Sequence, residues 1–127
     1  MAHLSVRFAG YAAVFDVPDR GGDVVRRGAF RLARPVPLLW QHSGKPVGEI
    51  EQLGEDGRGL RVIGRIAAPA LAAAVAKGAV TGLSFGYRVT EAQSGPRREI
   101  KGLELIEVSL VESPMQPLAR VHAVAEG

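Results

Sequence analysis

Thr81-Gly82-Leu83-Ser84-Phe85-Gly86-Tyr87 alternates with a period of two, the pattern of a strand. Leu83, Phe85 and Tyr87 fall on one face, and Gly82, Ser84 and Gly86 on the other. One face is built to pack. The other is stripped of side chains except for a single hydroxyl. Glycine inside a strand costs stability and often marks a close approach of another backbone or a ligand. Two readings follow. Ser84 is a nucleophile on a floor cleared for an extended peptide, with Gly82 and Gly86 as the substrate-binding positions. Alternatively, this is a small-residue strand at a tight crossing, and Ser84 fills space.

Working outward, the neighbouring stretches also read mostly as strands. Residues 4–15 form a first strand bent at Gly10, and 16–23 form a loop broken by Pro18 and Gly21-Gly22. Residues 28–33 are expected to make one short helical turn. A short apolar strand over 36–41 leads to His42, residues 43–45 turn, and 46–53 returns as a strand. Asp56-Gly57 signals a hairpin into a strand over 60–66. Residues 69–77 form the main helix, with Pro69 at its start, an alanine-rich body and Gly78 at its close. Strands over 80–90, 103–111 and 119–124 complete the chain, with a rigid loop over 113–117. Strands joined by short turns around one main helix indicate a mainly β fold with a small mixed or closed antiparallel sheet.

The 127 residues suit a single domain spanning 1–127. Composition is 46% hydrophobic and 23% charged, enough for an ordinary core. The absence of cysteine excludes disulfides, thiol catalysis and thiolate zinc sites. No stretch approaches the roughly 20 apolar residues of a membrane span. The N-terminus lacks a basic segment followed by an apolar run, so nothing suggests export. The net charge is +3, but the arginines are scattered without a basic stripe interleaved with aromatics, which gives little support for nucleic-acid binding. Asp16, Asp19 and Asp23 lack the ligand spacing and closing glutamate of a calcium loop and read as a solvated turn. No metal or cofactor is expected.

Three histidines are present. His3 is terminal, His122 lies in the last strand, and His42 sits at the exit of the apolar run Leu38-Leu39-Trp40-Gln41. In the 103–111 strand, Glu107 shares a face with Ser109, while Ile106, Val108 and Leu110 take the other. A buried mid-strand carboxylate needs a partner, and an imidazole N–H is a natural one. The competing assignments are a surface histidine and a carboxylate paired with arginine. Serine, histidine and carboxylate together make chemical sense. A hydroxyl is a weak nucleophile until a base takes its proton. Imidazole suits that task near neutral pH, and a carboxylate fixes its tautomer. Glu104 and Glu49 are rival third members.

The chain resembles the prohead maturation proteases of tailed phages, distant relatives of the herpesvirus assemblin proteases. The matching pieces run in order: Phe8-Ala-Gly-Tyr-Ala-Ala-Val-Phe-Asp16, Asp19-Arg-Gly-Gly-Asp23 with Gly28-Ala-Phe30, Leu38-Leu-Trp-Gln-His42, Pro46-Val-Gly48, Gly78-Ala-Val-Thr-Gly-Leu-Ser-Phe-Gly-Tyr87, Leu105-Ile-Glu-Val-Ser-Leu-Val111 and Pro114-Met-Gln-Pro117. The resemblance implies a small closed or partly closed antiparallel β-barrel flanked by helices. It implies a serine endopeptidase that cuts major capsid protein or scaffold segments inside the immature procapsid, in the host bacterium's cytoplasm. Phages and phage-like gene transfer agents both carry such chains. By this resemblance Ser84 is the nucleophile, His42 the base and Glu107 the orienting third member. The 113–117 loop and Arg120 are candidates for the oxyanion site. The resemblance is compatible with a homodimer or higher oligomer, and the short chain with loss of a C-terminal extension. The alternative is a non-catalytic capsid-assembly module of the same fold.

Overall fold

The computed structural model describes residues 5–32 and 34–126, and His3 lies outside them. Among these residues, nine strands and one helix run in the order β1 (Val6–Val14), β2 (Asp23–Val25), β3 (Phe30–Arg31), β4 (Leu38–Trp40), β5 (Ser43–Glu55), β6 (Gly59–Ile66), α1 (Pro69–Ala76), β7 (Gly82–Gln93), β8 (Arg98–Val111) and β9 (Val121–Glu126). All the strands join one sheet, ordered β2-β8-β4-β5-β6-β1-β9, with β3 and β7 also pairing β8.

β8 is the strand on which the site depends. β7 runs antiparallel along one of its edges. Along the other edge, β2, β3 and β4 follow one another in parallel, placing Val25 opposite Ile100, Phe30 opposite Leu103 and Leu38 opposite Val108. The sheet is therefore mixed rather than purely antiparallel, and it is not closed into a barrel. Among the described residues, β7 meets the segment entering β9 through a Gly82–Arg120 bridge, with Leu83 N–H donating to Ala119 O (3.0 Å) and Val121 N–H to Thr81 O (2.8 Å). A single helix is present among these residues, where several were expected to flank a barrel.

Alternation explains β1. Val6 and Phe8 are buried, Arg7 is exposed, and the register shifts at Ala9/Gly10 against β9 and at Tyr11/Ala13 against β6. Beside Gly10 the extra residue is His122 of β9, and the extra residue of β1 itself is Ala12, so the irregularity expected at Gly10 is shared between the two strands. In α1, Pro69 starts the helix, Ala72 and Val75 face the core, and Gly78 closes it at φ +79°.

Two local expectations are corrected. Within the stretch expected to make a helical turn over 28–33, Phe30–Arg31 form the short strand β3, and residue 33 lies outside the described residues. Phe30 is buried with its ring 5.3 Å from that of Phe85, and the Glu55 carboxylate accepts the N–H groups of Gly28 and Phe30. Non-local packing overrides the local preference here. The turn expected over 43–45 falls earlier. β5 begins at Ser43, which pairs with Trp40, so the loop consists of Gln41 and His42 alone.

Candidate active site

The Gln41–His42 loop places the imidazole. Both residues have positive φ, +53° and +62°. A two-residue hairpin of the primed type requires this, and it normally recruits Asn or Gly. For other residues the left-handed region costs about 1–2 kcal/mol each. The surroundings hold the loop there. Gln41 N–H donates to Leu110 O at 3.0 Å, and His42 N–H donates to Ser109 Oγ at 3.1 Å. The Gln41 side-chain oxygen accepts Glu112 N–H at 2.8 Å, and its amide nitrogen reaches Glu112 Oε1 at 3.4 Å. Four bonds from β8 and its exit therefore offset the strain.

Beneath the loop, β7 and β8 pair Ser84 with Ser109 and Gly86 with Glu107. Glu107 is 6% exposed, and a buried carboxylate must be fully partnered. His42 Nδ1 meets Oε1 at 2.5 Å, and Ser109 Oγ donates to Oε2 at 2.5 Å. With Nδ1 engaged as donor, Nε2 is the nitrogen free to act as base. The imidazole is 41% exposed, so it borders solvent while its partner does not.

Ser84 is buried at 5% exposure and shares with His42 a cavity of about 490 Å³, bordered also by Val111, Ser113 and Met115. No hydrogen bond joins Ser84 to His42 among the described residues. Such contacts often tighten only with substrate bound. The glycines on the cleared face have specific occupants. A Cβ at Gly86 would collide with the Glu107 carboxylate. One at Gly82 would meet Val111 O at 2.6 Å and Pro114 Cδ at 2.9 Å. The space above both is filled by the protein's own atoms, in place of the open floor that the alternation suggested.

The rival carboxylates go elsewhere. Glu104 pairs with Arg88 at 2.8 Å and Arg34 at 3.6 Å, and the Arg88 hydrogen bond holds its carboxyl below the ordinary range. Glu49 is exposed beside Arg65. His122, on β9, stacks on Tyr11. Arg120 does not border the cavity. Its guanidinium donates to Pro117 O and Thr81 Oγ1, both at 2.9 Å. The aspartates of the 16–23 loop each have protein partners. Asp16 pairs with Arg26, Asp23 with Arg98, and Asp19 Oδ1 accepts the N–H groups of Gly21 and Asp23.

Residues 2–127 match the family model of the caudovirus prohead serine proteases. The chain belongs to that family. It is 38% identical over 96 residues to the prohead protease of Enterobacteria phage HK97, a match covering 66% of this chain and 43% of that relative's length. A crystal structure of KSHV protease in complex with a hexapeptide phosphonate inhibitor has a TM-score of 0.60 at 15% identity, covering 97% of this chain and 65% of that one. That likeness shows a shared fold.

In this prohead protease family member, three supporting residues escaped the sequence reading. Gln41 clamps the histidine loop. Ser109 is marked in the sequence only by the face it shares with Glu107. Gln116, 3% exposed, pairs its amide with both backbone groups of Val14, accepting N–H at 2.7 Å and donating to O at 3.2 Å. This pins the 113–117 loop to the end of β1, and Arg20 N–H adds a bond to Met115 O at 2.8 Å. A glutamine flanked by Met115 and Pro117 carries no local mark of such a distant partner.

Proposed function

We propose that this chain is a serine endopeptidase of procapsid maturation, cutting major capsid or scaffold protein segments through an acyl-enzyme. The observation that carries the reading is the bond from His42 Nδ1 to buried Glu107, at the edge of a cavity shared with Ser84. Ser84 Oγ attacks the scissile carbonyl as Nε2 of His42 takes its proton. The same imidazole then protonates the leaving amine, and a water molecule, activated in turn by Nε2, hydrolyses the ester. Glu107 holds the ring and stabilises its cationic form without bonding to substrate. Backbone N–H groups of the 113–117 loop are the proposed oxyanion donors, and Arg120 braces that loop through Pro117 O. Gly86 serves by admitting the Glu107 carboxylate. The proposed place of action is the interior of the procapsid in the host cell.

The test is co-expression with the capsid or scaffold product encoded beside it, followed by mass measurement of that product. The wild type should shorten it, and Ser84→Ala should leave it intact while the protease stays folded. A fluorophosphonate probe should label Ser84 and spare Ser109 and Ser113. An intact product with the wild type and no labelling would favour the non-catalytic assembly module.

A further inference from the structure

We infer that Ser109 is a positioning residue of this site, its hydroxyl locking the Glu107 carboxylate and the His42 backbone into one closed set of bonds. The inference rests on the proposed Ser84–His42–Glu107 assignment. Ser109 is fully buried, at 0% exposure, in β8. It lies opposite Ser84 on β7 and opposite Leu39 on β4, where the three strands carrying the site meet. Its hydroxyl donates to Glu107 Oε2 at 2.5 Å and accepts His42 N–H at 3.1 Å. Glu107 Oε1 closes the ring on His42 Nδ1 at 2.5 Å.

The direction of each bond is fixed by chemistry. An ionised carboxylate only accepts, and a backbone N–H only donates. The group between them must therefore do both, and a hydroxyl does. A distance of 2.5 Å is that of a charge-assisted O–H···O⁻ bond. A buried serine that merely needs satisfying requires one partner of any kind. This one spends its donor and an acceptor on two residues that already bind each other. It also acts on the backbone of a residue at φ +62°. Without it, Oε2 is left buried and unpaired, and the strained loop loses one of its four ties.

The bonds of the Ser109 hydroxyl go to the Glu107 carboxylate and the His42 backbone, not to Ser84 Oγ or the imidazole ring, so its loss should slow chemistry and spare binding. The experiment measures fluorophosphonate labelling of Ser84, separating the maximal rate from the half-saturating concentration. Ser109→Ala is expected to lower the maximal rate about ten- to a hundredfold, as misplacement of a reacting group does, with half-saturation unchanged. Ser109→Cys, nearly isosteric but a weak donor, should be comparably slow, and Ser109→Thr should recover most of the rate. In a Glu107→Gln background, Ser109→Ala should add little, because residues acting as one unit are non-additive.

Wild-type labelling by the folded Ala and Cys variants, or a full multiplicative loss in the double variant, would overturn the role of Ser109. Continued labelling of the Ser84→Ala protein, or wild-type labelling of His42→Ala, would instead overturn the assignment beneath it.

Discussion

At the scale of single residues, the informative positions are those where a side chain is missing. Gly86 faces Glu107 across the β7–β8 ladder, and the carboxylate lies where a Cβ would stand. The obstructing atoms are the far end of a side chain, including Cδ at 3.0 Å, so the side chain and not the backbone would yield. Gly86→Ala should therefore leave the fold intact and push Glu107 off His42. The expected result is a fall in turnover of about a hundredfold, the scale at which misplaced groups act. Cleavage kinetics beside a melting curve would check it. Full activity in a folded Gly86→Ala protein would mean that the Glu107–His42 contact is dispensable.

At the scale of elements, the strands were legible because alternation is local. The reading of β1, the 56–59 hairpin, α1 and the Ser84 strand needed only near neighbours in sequence. The facing of Glu107 and Ser109 followed from parity. What depended on distant partners was hidden. Phe30 looks helical until Phe85 and the Glu55 carboxylate are beside it. The turn looks like Ser43-Gly44-Lys45 because glycine is the expected turn residue, yet the chain turns on Gln41 and His42. The reason lies in β8 and its exit, whose groups hold both residues at positive φ. This gives a prediction for the loop. Gln41→Ala removes the Glu112 clamp, and Gln41→Gly removes the clamp while relaxing the backbone at that position. If the clamp matters, both should lower turnover, by about two- to tenfold for the roughly 0.5–1.5 kcal/mol that a net hydrogen bond contributes. Both should also speed amide exchange at His42. A glycine variant as active as wild type would show that relief of strain suffices.

At the scale of the whole molecule, the sheet is open, but its two ends come together beside Ser84. Gly10 marks the crossing. A Cβ there would run into Arg120 O, Leu83 Cδ1 at 2.7 Å and Val121 Cα at 3.0 Å. Two of these are backbone atoms, and Leu83 is fully buried next to Ser84, so little can yield. Gly10→Ala should act as overpacking, which costs about 1–3 kcal/mol. For a chain of this size that lowers the melting temperature by several degrees. Gly54, also within a strand, is the matched control, since a Cβ there meets nothing within 4 Å. Gly54→Ala removes the same backbone freedom from the unfolded chain without a clash and should be neutral or slightly stabilising. Because the strain at Gly10 bears on Leu83, the folded fraction of Gly10→Ala should also label more slowly at Ser84, whereas Gly54→Ala should label at the wild-type rate. Equal melting temperatures for the two variants would show that β1 and β7 are not held in contact, and the crossing would then have no part in placing Ser84.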